Sequence, residues 1–162
     1  MNANELVLSL VKEFKEKGLT LAFAESCTGG LAAATVVSVP GASSVFYGGI
    51  VSYDNSVKNK LLFVEQTVLD TYGAVSAECA VQMARGARMQ VGTDIAISVT
   101  GIAGPGGATK DKPVGLVYIG VSSKRSEFAK KLLLSEVGDR TAIRQRSVCE
   151  MLLAALDEIK MI

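Results

Sequence analysis

Three short apolar runs, LTLAFAE (19–25), YGGIVSYD (47–54) and DIAISVTG (94–101), each give way to polar or glycine-rich residues. Their length, their β-branched and aromatic content and their polar boundaries read as strands. The first opens into the turn SCTGG and then the Ala-rich GLAAATVVSV, a helix that ends before Pro40. The second is followed by NSVKNKLL, a short helix that Asp54 or Asn55 can cap. The third opens into IAGPGGATKDKP, a long Gly/Pro loop. Strands that repeatedly turn into helices must be layered, because each sheet face needs an apolar cover.

The remaining segments fit that frame. ELVLSLVKEFKEKG places Leu6, Val7, Leu10, Val11 and Phe14 on one helical face, with Gly18 as a stop. VEQTVLDTYG and SAECAVQMARGARMQVG read as helices, the second with a stripe of Ala80, Met83, Ala84, Ala87 and Val91. VGLVYIGVSS and SEFAKKLLLSE form a hairpin, and a helix from Arg140 to Ile159 turns Val148, Leu152, Ala155 and Ile159 one way. The expected fold is α/β, a three-layer α/β/α sandwich with a mixed, mostly parallel sheet, as one domain over 1–162.

Composition narrows the function. A net charge of +1 with interspersed signs gives no nucleic-acid or membrane footprint. The N-terminal stretch carries acidic residues where a signal peptide would be basic, so a cytoplasmic protein is expected. Three cysteines without a CxxC pair argue against a disulfide framework. The chain has no histidine, which removes a Ser-His-Asp triad and any histidine-ligated metal. No metal and no cofactor is expected.

Chemistry then has few carriers. PGASSVFYGGIVSYDNSVK (40–58) holds Ser43, Ser44, Tyr53 and Lys58. Without histidine, a serine needs another base, and a lysine whose pKa is lowered by desolvation can serve, with tyrosine as a relay. ESCTGG (25–30) and TGIAGPGG (100–107) are glycine turns able to offer backbone N–H groups to an anion. Neither has the spacing of a Walker loop or a dinucleotide fingerprint. GDRTAIRQR (138–146) sets Arg140 and Arg144 on one helix face, suited to phosphate or carboxylate. Cys27 is a rival nucleophile if its turn lowers its pKa, and a packing residue otherwise.

Taken in order, AESCTGG (24–30), PGAS with FxGGxVxY and a lysine five residues on (40–58), GAVS (73–76), SVTGIAGPGG (98–107), KPVGLVYIG (112–120) and GDRxxIR (138–144) resemble the C-terminal domain of the competence/damage-inducible protein A family. Stand-alone members of that family include nicotinamide mononucleotide deamidase. The resemblance implies hydrolysis of a nicotinamide mononucleotide carboxamide to the acid and ammonia, without metal, by an α/β/α protein that is usually a homo-oligomer. It puts the nucleophile on Ser43, with Tyr53 and Lys58 beside it. Its other pocket positions fall on Ser26 of the first turn, on Thr100 of the second and on Arg140, and Thr28, Gly29, Gly101 and Arg144 are expected to join them in binding substrate. The family pattern often reads PGSS where this chain has Ala42. A non-catalytic module that binds a pyridine nucleotide or regulates a partner is the alternative.

Overall fold

The structure is a computed structural model that describes residues 2–162. In chain order its elements are α1 (Ala3–Lys17), β1 (Leu21–Glu25), α2 (Leu31–Val37), β2 (Phe46–Val51), α3 (Asn55–Leu62), α4 (Gln66–Tyr72), α5 (Ala77–Val91), β3 (Ile95–Gly101), β4 (Leu116–Ser122), β5 (Glu127–Leu133) and α6 (Arg140–Lys160). A single 3-10 turn, Ala42–Ser44, precedes β2. The five strands form one sheet in the order β2-β1-β3-β4-β5.

The sheet is mixed. β1 pairs in parallel with β2 and with β3, while β3-β4 and β4-β5 are antiparallel. The parallel half needs crossover helices, which α2 and the α3–α5 run supply; the antiparallel half is a meander, joined by the long loop 102–115 between β3 and β4 and a short turn, 123–126, between β4 and β5.

The apolar patterning is met on both faces. α1, α2 and α6 cover one face around Leu10, Phe14, Phe23, Ile97, Ile119 and Leu152, all buried. Phe23 and Phe46 pack there with ring centroids 5.0 Å apart. α3–α5 cover the other face around Leu62, Leu69, Met83 and Ala87. The small residues of α5 let its backbone sit close to its neighbours. A Cβ on Gly86 would lie 2.0 Å from the Leu62 carbonyl oxygen of α3, and one on Gly120 of β4 would lie 2.2 Å from the Ala80 oxygen of α5.

Parallel strands with crossover helices bring the carboxyl ends of β1, β2 and β3 to one rim, where α2, α3 and α5 begin and α6 also starts. Each of the last three starts on a side-chain cap: Asp54 accepts from Ser56 N, Ser76 from Cys79 N and Asp139 from Ala142 N. Converging helix starts make this rim electropositive.

Candidate active site

The rim holds a cleft of about 200 Å³ lined by Ser26 and Cys27 after β1, by Tyr53, Asn55 and Lys58 after β2, by Ala74 and Val75 before α5, by Thr100 and Gly101 at the end of β3 and Ala103 beyond it, and by Arg140. A larger groove of about 690 Å³ runs between α1, α2 and α6, but its walls are mainly aliphatic and small polar residues without a nucleophile–base pair.

Lys58 is the unusual member. It lies in the first turns of α3 and is almost wholly buried, yet it makes no ion pair among the described residues. Its Nζ lies 2.7 Å from the Ser52 carbonyl oxygen, 3.1 Å from the Tyr53 carbonyl oxygen and 3.1 Å from Ser26 Oγ. Burial pushes its pKa below the ordinary lysine value of 10.5, against weaker pulls upward from Cys79, Asp54 and Cys27. The two carbonyls can only accept. A neutral amine satisfies both with its two hydrogens and turns its lone pair to the Ser26 hydroxyl, which then donates.

Ser26 follows β1 and is fixed by its own N–H to the Val99 carbonyl, 3.1 Å away on β3. The turn behind it is over-determined. The buried Glu25 carboxylate accepts from Thr28 Oγ1 at 2.6 Å and from the N–H groups of Gly30, Ala32 and Ala33 at 3.0, 3.1 and 2.8 Å. Arg144 donates from Nε to the Cys27 carbonyl (3.0 Å) and from Nη2 to the Thr28 carbonyl (2.8 Å). Gly29 takes φ +59° beneath Arg144 Nη2, a conformation that favours glycine.

Arg140 spans the mouth. Its Nη1 donates to the Gly104 carbonyl (2.8 Å) and its Nη2 to the Tyr53 hydroxyl (3.3 Å), which is itself exposed. Thr100 Oγ1 donates to the Ala74 carbonyl (2.8 Å) and keeps its acceptor side free. Gly101 is held by packing: a Cβ there would come within 2.8 Å of the Leu116 oxygen. Cys27 is not a reactive thiol, because burial raises its pKa to about 11.

The structure therefore brings together Ser26, Tyr53, Lys58, Thr100, Gly101 and Arg140, and it does not bring Ser43. Ser43 sits in the 3-10 turn at the amino end of β2, whereas Tyr53 and Lys58 follow its carboxyl end. The six residues of β2 at about 3.3 Å each put roughly 20 Å between them. The expectation that Ser43 is the nucleophile is corrected on this ground: closeness in sequence across a strand is separation in space. The expected substrate contacts at the Thr28 side chain and at Arg144 are corrected too, while Gly29 is exposed and is not among the residues lining the cleft. Thr28 is fully buried against Glu25, and Arg144 commits Nε and Nη2 to the turn. Within the glycine turn and the start of α2, the amides of Gly30, Ala32 and Ala33 are not open to an anion, since Glu25 already occupies them. Asn55, which sequence reasoning treated only as a cap, lines the cleft. Among the described residues, no three His, Cys, Asp or Glu side chains group to hold a metal ion.

Residues 3–159 match the CinA C-terminal domain. The chain belongs to the CinA C-terminal domain family. A "CinA-like protein" of Dictyoglomus turgidum is 52% identical over 140 residues, 86% of this chain and 33% of that protein. A "putative competence-damage inducible protein" of Thermoanaerobacter sp. is 46% identical over 160 residues, 99% of this chain and 37% of that protein. The chain thus spans about a third of the length of these curated relatives. Among solved structures, the competence/damage inducible protein CihA from Agrobacterium tumefaciens superposes with TM-score 0.94 at 37% identity, covering 99% of this chain and 96% of that one. A CinA superfamily protein from Escherichia coli gives 0.90 at 30% identity, covering 96% and 88%. The superpositions show that these proteins share the fold described above. No described helix is long and apolar enough to cross a membrane.

Proposed function

We propose that this CinA-type domain hydrolyses the carboxamide of nicotinamide mononucleotide to the acid and ammonia, with Ser26 as nucleophile and Lys58 as its base. The observation that carries the reading is the 3.1 Å approach of a buried, unpaired lysine Nζ to the Ser26 hydroxyl. Neutral Lys58 takes the Ser26 proton as Oγ bonds to the amide carbon and the carbonyl π pair moves to oxygen. Lys58 returns that proton to the leaving nitrogen, the C–N bond breaks, and ammonia departs from an ester of Ser26. Water, deprotonated by the same lysine, then attacks the ester, and Ser26 leaves as its hydroxyl.

An anionic substrate suits the rim. Arg140 stands at its mouth with Tyr53, and α5 and α6 point their positive ends toward it. A charged phosphate on the substrate would meet Arg140, and the exposed Tyr53 ring gives an aromatic base a surface to lie against.

The test is ammonia release from nicotinamide mononucleotide by wild type and Ser26→Ala, with and without chelator. Chelator-insensitive release by wild type and none by Ser26→Ala is expected. Tight nucleotide binding with no ammonia from wild type would replace the reading with a binding module.

A further inference from the structure

We propose that Glu25 is a positioning residue for the reaction: its buried carboxylate locks the turn that carries Ser26 without engaging the next two amides, those of Cys27 and Thr28, and so leaves them to serve the developing oxyanion. The proposal rests on Ser26 being the nucleophile.

Glu25 ends a strand whose five residues are all buried, and its own exposure is 1%. A carboxylate in such a place is expensive unless it is paired or hydrogen-bonded. No cationic side chain pairs with it among the described residues. Instead it accepts four hydrogen bonds from within the next eight residues, from the Thr28 hydroxyl and the amides of Gly30, Ala32 and Ala33. Three of the four partners are backbone N–H groups, which can only donate to it.

The hydrogen bonds of the turn can be counted through. Ser26 N goes to the Val99 oxygen, Gly29 N to the Ser26 oxygen and Leu31 N to the Thr28 oxygen. Gly30, Ala32 and Ala33 go to Glu25. The N–H groups of Cys27 and Thr28 have no oxygen acceptor among the described residues, and they directly follow the nucleophile in the chain. An amide just after the nucleophilic serine is a recurrent oxyanion donor in serine hydrolases. Glu25 also reaches the base. Its carbonyl accepts from Ser52 N at 2.8 Å, and the Ser52 carbonyl accepts from Lys58 Nζ. One residue thus ties nucleophile, amide pair and base into a single frame.

The experiment reads serine reactivity separately from amide hydrolysis. Wild type, Ser26→Ala, Glu25→Gln and Thr28→Val are exposed to a fluorophosphonate, with the labelled residue located by mass spectrometry. The same proteins are assayed for kcat and KM with nicotinamide mononucleotide. In Glu25→Gln the amide NH₂ faces N–H donors, and kcat and labelling rate fall together by about 10²-fold, the loss typical of a displaced oxyanion donor, while KM stays within about threefold. Thr28→Val keeps the carboxylate, folds if Glu25→Gln does not, and lowers both rates by about tenfold, a single lost hydrogen bond to a charged group. Its pH midpoint is unchanged, because Lys58 is untouched. Rates within threefold of wild type in folded Glu25→Gln, or in Thr28→Val when the other does not fold, overturn the proposal, as does a rise in KM with kcat intact. Wild type that is labelled at Ser26 but frees no ammonia removes the amide substrate and leaves Glu25 to be judged by labelling. No label on wild-type Ser26 removes the nucleophile and the proposal with it.

Discussion

Lys58 Nζ rests 3.1 Å from Ser26 Oγ, although the two residues are 32 positions apart and belong to different strand–helix units. That approach predicts a sharp asymmetry between two serines. Ser26→Ala should lose at least about 10³-fold in kcat, in line with the removal of a covalent nucleophile, while substrate affinity measured by calorimetry changes little. Ser43→Ala, exposed at the far end of β2, should keep wild-type kcat within about twofold. The reverse result would return the nucleophile to Ser43.

The pH dependence follows from Lys58. Burial lowers its pKa from 10.5, so the active neutral amine accumulates as pH rises, and kcat/KM should climb with a midpoint below that value. Lys58→Arg keeps the cation and cannot deprotonate in this range, so its residual rate should be flat with pH. The same shift has a stability sign. Below the folded pKa both states carry the proton and the folded state bears the full cost of burying it. As pH rises from the folded to the unfolded pKa, the unfolded chain holds more protons, and stability increases. A melting temperature that falls over that window, after subtraction of the Lys58→Met profile, would contradict the burial account.

Arg140 and Tyr53 should govern affinity more than chemistry. Arg140→Ala removes the cation at the cleft mouth and the contact to Tyr53. KM for a phosphorylated substrate should rise about tenfold or more, the scale of one charge-assisted hydrogen bond, with a smaller effect on the dephosphorylated nucleoside. Equal effects on both would show that Arg140 does not meet the phosphate.

Gly86→Ala tests the fold rather than the site. Its Cβ would fall 2.0 Å from backbone oxygen of Leu62, so α5 or α3 must shift, at a cost of about 1–3 kcal/mol. Chemical denaturation should show this directly. Because Leu62 ends the helix that carries Lys58, activity should fall further than stability alone explains.

Much of this was legible in the sequence. The helical faces of α1 and α6 and the apolar strand β3 follow from periodicity and are buried as expected. Lys58 followed from the absence of histidine. Sequence order groups Ser43 with Tyr53 and Lys58 in one block, whereas Ser26 reaches Lys58 only through the parallel pairing of β1 with β2. The signal was nevertheless present: a serine before a strand and a lysine after it belong to opposite rims, and Glu25 is an acid at the end of an otherwise apolar run. Gly86 and Gly120 were invisible, since close helix contacts depend on which backbones meet.

One consequence of the β1–β2 ladder concerns folding. Glu25 pairs with Val51, and the ladder already contains an irregularity between Leu21 and Ala22. A slip of two residues in this pairing would keep every side chain on its proper face, yet carry Lys58 about 6–7 Å from Ser26. Such a molecule would be compact, helical and catalytically silent. During refolding, recovered activity would therefore count correctly registered molecules, while circular dichroism would count collapsed ones, and any lag between the two would time the search for register.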